Sequence, residues 1–170
     1  ITHRVAEDFV NWYRHSYGME TLILRLSNGF GYPADSSVQK WYLVFNDLCM
    51  QAVQNGEIVL RSTGTQQRAF ISLTDVGRAI HHFLELGHEG WQDGLFNLGG
   101  DYSMSILDVA KRVAAEFSQR FGTEIPITVG ESNGVQHDDL VIFNVEKTKQ
   151  TGFSLIGNMS AEVAGILDLC

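Results

Sequence analysis

Two cysteines in 170 residues, Cys49 and Cys170, are too few and too far apart for a disulfide framework or a cysteine metal site. Cys49 falls among apolar residues at helical spacing, so a buried thiol is expected there. Basic residues are scarce as well: 12 Lys and Arg face 20 Asp and Glu, for a net charge of −8. Binding a nucleic-acid backbone or an anionic bilayer needs a concentrated basic face, so both are set aside as partners. An anionic small molecule would need a local cluster of Arg or His working against the overall field. No apolar run reaches membrane-spanning length and no secretory leader is seen, which makes the cytoplasm the expected compartment. Internal repeats, low-complexity tracts and domain-separating linkers are also missing. With 44% hydrophobic and 19% charged residues, the composition suits a folded globular chain and argues against disorder.

What is there is an alternation of helical and strand patterns. Val5, Phe9, Trp12, Tyr13 and Tyr17 recur at three- and four-residue spacing and Gly18 supplies a stop, predicting a helix over Thr2 to Tyr17. Ala6 and Val10 add apolar surface on a second side, so that helix is expected to pack between two partners. Thr21 to Leu26 is rich in β-formers and reads as a buried strand. Ser27 to Ser37 has loop chemistry. A second helix is expected over Val38 to Val53, ending near Gly56, followed by short strands at Glu57 to Arg61 and Ala69 to Leu73 around the turn Thr63-Gly64-Thr65. Thr74 is placed to cap a helix from Asp75 to Leu86, with Val76, Ile80 and Phe83 inward and Ala79 and Leu84 beside them. Leu95 to Leu98 reads as a strand stopped by Gly99-Gly100. Ser105 with Asp108 opens a helix through Phe121. Strands at Ile127 to Val129 and Leu140 to Phe143 and a helix from Ser160 to Leu169 complete an α/β pattern. The chain opens directly in a helix with no strand before it, the pattern expected of a fragment.

Several motifs then stand in a fixed order. Thr2-His3-Arg4-Val5-Ala6-Glu7 fits the second part of Y-x-x-x-K-x-x-x-E, with His3 at the Lys position. Leu24-Arg25-Leu26-Ser27-Asn28-Gly29-Phe30-Gly31 fits L-R-x-x-N-x-y-G, and Gly64 to Val76 fits G-x-x-x-R-x-F-I-x-x-x-D-v, which places Arg68 and Asp75. Phe96-Asn97-Leu98-Gly99 fits y-N-l-G, and Asn144-Val145-Glu146-Lys147 through Gly152-Phe153 fits a final d-x-s-k…l-G-f/w segment. In this order and spacing the chain resembles the C-terminal half of an extended short-chain dehydrogenase/reductase of the nucleotide-sugar epimerase and dehydratase type.

The resemblance implies a fold: the last strands of a Rossmann-type parallel sheet, joined to a smaller α/β substrate-binding domain. Residues 1–31 and 75–100 would belong to the first, 32–74 and 101–170 to the second. It implies NAD or NADP as cofactor, a nucleotide-sugar substrate and a homodimer built on the first helix. The Gly-rich pyrophosphate loop lies outside this stretch, and the family's catalytic Tyr would stand two residues before Ile1. The Lys that His3 replaces bonds the nicotinamide ribose and lowers the pKa of that Tyr. His3 is read as a functional substitute, or as the mark of a site that has drifted, or as a solvent-facing His with no role. Asn28 would contact the sugar or diphosphate, against the alternative of a turn Asn satisfying its own backbone. Arg68, with its rigid donor fork, would grip the diphosphate, against a surface Arg beside a hairpin turn. His137 lies where relatives carry a second phosphate-binding Arg, or is a loop His. Asp75 reads as structural at a helix start, Gly29, Gly31 and Pro33 as loop geometry. His81 and His82 lack partners at metal-ligand spacing, and no metal is expected. The implied activity is that of an NAD(P)-dependent epimerase or dehydratase. The alternatives are a non-catalytic binding module of the same fold and a reductase of a non-sugar carbonyl.

Overall fold

Among the described residues, seven strands and six α-helices follow one another as α1 (Thr2–Tyr17), β1 (Ile23–Leu26), β2 (Asn28–Phe30), α2 (Val44–Asn55), β3 (Ile58–Leu60), β4 (Gln67–Ser72), α3 (Leu73–Leu86), β5 (Leu95–Leu98), β6 (Tyr102–Ser105), α4 (Ile106–Phe121), β7 (Ile127–Val129), α5 (Glu146–Lys149) and α6 (Met159–Asp168). This computed structural model describes residues 2–35, 37–38, 41–131 and 143–170. The strand expected over Leu140 to Phe143 lies mostly outside the described residues, and His137 lies wholly outside them.

The strands form three small sheets and confirm an α/β fold with parallel pairing. β1 runs parallel to β5, β3 parallel to β7, and β2 parallel to β4, whose other edge takes β6 antiparallel. Backbone bonds beyond the ladders join the β1–β5 pair to the β2–β4–β6 sheet at the strand ends. Ser27 N donates to Leu98 O and Gly100 N donates to Phe70 O, each at 3.0 Å. A side chain on Gly100 would run into that Phe70 carbonyl, so the Gly99-Gly100 pair permits the join as well as ending β5.

The main core lies between helices α2, α4 and α6 and the strands beneath them. Phe30, Phe45 and Phe70 are fully buried with Leu48, Cys49, Val109, Val113, Val163 and Ile166. Phe30 and Phe45 stack at 4.5 Å, and Phe70 meets Phe45 edge-on at 5.2 Å. Cys49 is the buried thiol its setting implied, and burial pushes its pKa upward. α4 starts as expected, with Ser105 Oγ accepting from Asp108 N at 3.0 Å, and stops at Gly122 in the left-handed region.

Several expectations need correction. The Ser27 to Ser37 stretch holds strand β2, because Asn28 to Phe30 find a ladder on β4 in the register Asn28↔Phe70 and Phe30 is core. α2 starts at Val44, not Val38; Trp41 and Tyr42 lie in a turn before it, with Tyr42 81% exposed. β3 and β4 form no hairpin, since β3 pairs with β7. The cap of α3 is Ser72, whose Oγ accepts from Asp75 N, and Thr74 lies inside the helix. Of the inward face proposed for α3, Ala79 and Phe83 are buried, whereas Ile80 and Leu84 are exposed. β1 is only half buried, and α1 buries no residue at all, so neither apolar side of that helix is enclosed by described residues. β6, α5 and the 3-10 turn His88–Trp91 had no clear sequence signal.

Candidate site at the end of the parallel strands

β1 delivers Ser27 and Asn28 to the point where β5 also ends, the place where open α/β sheets bind ligands. Asn28 then opens β2 and lies beside β4. Its Nδ2 donates to Ala69 O at 3.0 Å, so its backbone-satisfying role is met across strands, not within its own turn. Arg68 precedes that same Ala69 on β4. Pairing of β2 with β4 therefore brings Asn28 and Arg68 onto neighbouring strands, although 40 positions separate them in the chain.

The Arg68 guanidinium is exposed. It donates through Nη1 to Gln67 O at 2.8 Å and through Nη2 to Gln66 Oε1 at 3.0 Å. Among the described residues no carboxylate pairs with it, so its charge is uncompensated by an ion pair. Neutral acceptors such as these give way to a phosphate, which offers charge-assisted bonds in their place.

Two buried side-chain atoms among the described residues make no hydrogen bond, and they bracket β2. Ser27 Oγ immediately precedes the strand. Asn46 Oδ1, on α2, sits over its far end, where Asn46 Nδ2 approaches Gly31 O at 3.4 Å. Buried polar groups left unsatisfied are rare and costly, and a polar ligand or water is the usual resolution. Gly31 itself has φ +142°, and a Cβ there would meet the buried carboxylate of Glu162. Glu162 accepts from Thr74 N at 3.1 Å and so ties α6 to the start of α3 behind the same loop.

Asp75 is structural, as expected at a helix start. It is buried and accepts from Ile156 N and Gly157 N, each at 2.9 Å, while Arg78 pairs with it at 3.2 Å. The motif segment from Asn144 folds onto β5. Asn97 Nδ2 donates to Asn144 O at 3.0 Å, Thr148 Oγ1 donates to Asn97 O at 2.6 Å, and Lys147 stands 4.3 Å over the Phe96 ring.

His3 is exposed in the first turn of α1, one turn ahead of Glu7. No group of three His, Cys, Asp or Glu among the described residues is arranged to hold a metal. Ser27 and Asn46 were not singled out from sequence. Asn46 carried a weak signal, a polar residue beside Asp47 flanked by Leu43-Val44-Phe45 and Leu48-Cys49; Ser27 carried only its place before Asn28.

The model of the NAD dependent epimerase/dehydratase family matches residues 1–99, and the chain belongs to that family. The bovine dTDP-D-glucose 4,6-dehydratase is 31% identical over 111 residues, which are 64% of this chain and 28% of that protein. Among solved structures, UDP-N-acetylglucosamine 4-epimerase from Methanobrevibacter ruminantium, in complex with UDP-N-acetylmuramic acid, superposes with a TM-score of 0.71 at 19% identity, covering 98% of this chain and 51% of that one. The RMD protein of Pseudomonas aeruginosa, complexed with NADPH, gives 0.72 at 16% identity, covering 96% and 52%. The chain thus spans about half the length of these structures and less than a third of the bovine relative. No helix among the described residues is long and apolar enough to cross a membrane.

Proposed function

We propose that the intact protein is an NAD(P)-dependent enzyme acting on a nucleotide-linked sugar, as an epimerase or dehydratase. In this reading residues 1–31 and 75–100 complete the cofactor-binding sheet, and 32–74 and 101–170 form the substrate-binding part. The observation that carries the reading is the pairing of β2 with β4, which brings Asn28 and Arg68 onto neighbouring strands, with an orphaned buried polar atom at each end of β2. A diphosphate suits that set: Arg68 offers a donor fork held only by neutral acceptors among the described residues, and Asn28 offers a polar head already held in place by β4. His3, on α1, would in this reading donate to a cofactor ribose. NAD or NADP, when bound, supplies hydride transfer; this chain's residues grip and orient the substrate. The nucleotide-sugar names of the relatives support the same substrate class.

A second reading has one observation in its favour. His3 occupies the family's Lys position, which fits a non-catalytic binding module as well. For assembly, we infer a homodimer through α1. Trp12, Tyr13 and Tyr17 touch one another on that helix, and with Phe9 and Val5 they are all exposed. A two-fold pairing of such a face would bury it.

Arg68 tests the substrate assignment. In the full-length protein, Arg68→Ala should weaken nucleoside-diphosphate binding about ten- to hundredfold, the effect of losing a charge-assisted fork worth roughly 1.5–3 kcal/mol. Arg68→Lys should recover part of the loss, because it keeps the charge without the fork. Affinity for NAD should barely change. Titration calorimetry with each ligand separates the two, and intact diphosphate binding in Arg68→Ala would move the reading toward a reductase of uncharged carbonyls.

A further inference from the structure

Arg25 on β1 meets Glu7 on α1 through two parallel bonds. Nε donates to Oε1 at 2.9 Å and Nη2 donates to Oε2 at 2.5 Å. That fork-to-carboxylate geometry fixes direction as well as distance. The hydrogen bond holds the Glu7 carboxyl below its ordinary pKa and the Arg25 guanidinium above its own. The Glu7 side chain is 18% exposed and Arg25 42%, so the contact is sheltered on the helix side.

Its importance follows from what α1 lacks. The helix buries no residue, so specific polar contacts carry much of its placement. At its far end Arg14 donates to the carbonyls of Gln92, at 2.9 Å, and Asp93. Near its start the Glu7–Arg25 pair is the side-chain bond to the sheet. Glu7 lies four residues from His3, on the same face of the helix. Arg25 lies on the strand that runs directly into Ser27 and Asn28. One bidentate contact therefore links α1, one turn beyond His3, to β1, which ends just before Ser27 and Asn28. Nearby charges do not compete for it: Arg4 pairs with Asp8 at 3.4 Å.

We propose that Glu7 and Arg25 are a positioning pair, which sets where the first turn of α1, with His3, stands relative to the strand end that carries Asn28. The proposal rests on the site reading given above. If cofactor and substrate meet between these two elements, a shift of about 1 Å in the helix costs roughly a hundredfold in rate without any loss of a reacting group.

The test uses the full-length protein with Glu7→Gln, Arg25→Gln, Arg25→Lys and the charge swap Glu7→Arg/Arg25→Glu. Turnover of UDP- and dTDP-sugars is measured beside melting temperature and the NMR signal of the His3 ring, assigned with His3→Gln. Glu7→Gln and Arg25→Gln should lower kcat at least about tenfold, with KM within about twofold and melting almost unchanged. Arg25→Lys or the swap should recover part of kcat. Unchanged kcat in both Gln variants overturns the proposal. So does a loss that only tracks the folded fraction, or no recovery in either rescue variant. If the unaltered protein turns over none of these sugars, the substrate reading fails, and the ring signal decides the pair. A His3 signal displaced in both Gln variants and restored by a rescue variant supports it, and an unmoved signal overturns it.

Discussion

Helices α1 and α4 are both 16 residues long and both amphipathic, yet the fold treats them oppositely. α4 buries Val109, Ala110 and Val113 against α2 and α6 and is closed by a side-chain cap at one end and a left-handed glycine at the other. α1 leaves Phe9 60% and Tyr17 66% exposed and is held by arginine contacts at its two ends. The strands repeat the contrast. β4 is paired on both edges and its last four residues are buried, whereas β1 pairs only with β5 among the described residues. One side of the molecule is a finished core. The other presents the helix and strand edge on which, in our reading, the cofactor sheet and a second subunit assemble.

The sharpest way to break that comparison is to cut the same chemistry from each side. In the full-length protein, Phe70→Ala should destabilise by about 3–5 kcal/mol, since the ring is fully buried against Phe30 and Phe45. That loss should not depend on protein concentration. Phe9→Ala should cost little in the folded subunit, within about 0.5 kcal/mol when unfolding is followed from the monomer. Equal, concentration-independent losses by urea unfolding would mean α1 is as much a core element as α4. A smaller effect is expected in assembly. Sedimentation velocity of the full-length protein should show a dimer, and Trp12→Glu should shift it toward monomer without changing far-UV circular dichroism. A monomer at micromolar concentration would remove the homodimer reading.

The two sides were also unequally legible in the sequence. α4 could be read to within a residue because local rules agree there: a Ser cap, an acidic third residue, a 3.6-residue apolar stripe and a glycine stop. α1 was bounded just as well, but its burial was not, because periodicity reports which face is apolar and says nothing about what covers it. β2 was missed for a different reason. Asn, Gly and Phe have no strand signature, and only the long-range ladder to β4 makes them a strand. The same holds for the site. Arg68 and Asn28 were legible through their motifs, but their adjacency exists only through that ladder. Ser27 and Asn46 became visible only as buried atoms without partners. The Glu7–Arg25 pair shows the intermediate case, with both residues present in the motifs and no sequence signal that one answers the other.

Acid should act on the open side before the closed one, and the sign follows from two carboxylates: that of Glu7, which holds α1, and that of Asp93, in the turn whose backbone Arg14 contacts. Glu7 is kept below its ordinary pKa by the hydrogen bond from Arg25. Asp93, whose carbonyl Arg14 grips, is kept below its own by Lys147 and then by Leu95 N. A carboxyl with a depressed folded pKa binds its proton more readily when its tether is undone. Its contribution is therefore complete above the unfolded value of about 4 and is lost as pH falls through the folded value. Asp93 lies toward solvent and the Arg25 end of the Glu7 pair is partly exposed, so the effect is modest and screened by salt. Amide NMR of the full-length protein between neutral pH and about pH 3 should show α1 resonances shifting first, while those of α4, held by apolar burial, stay in place. High salt should weaken the α1 contacts already at neutral pH, bringing its resonances part of the way toward their acid positions. If α1 and α4 resonances move together, the two sides unfold as one unit, and the arginine contacts are not what hold α1 in place.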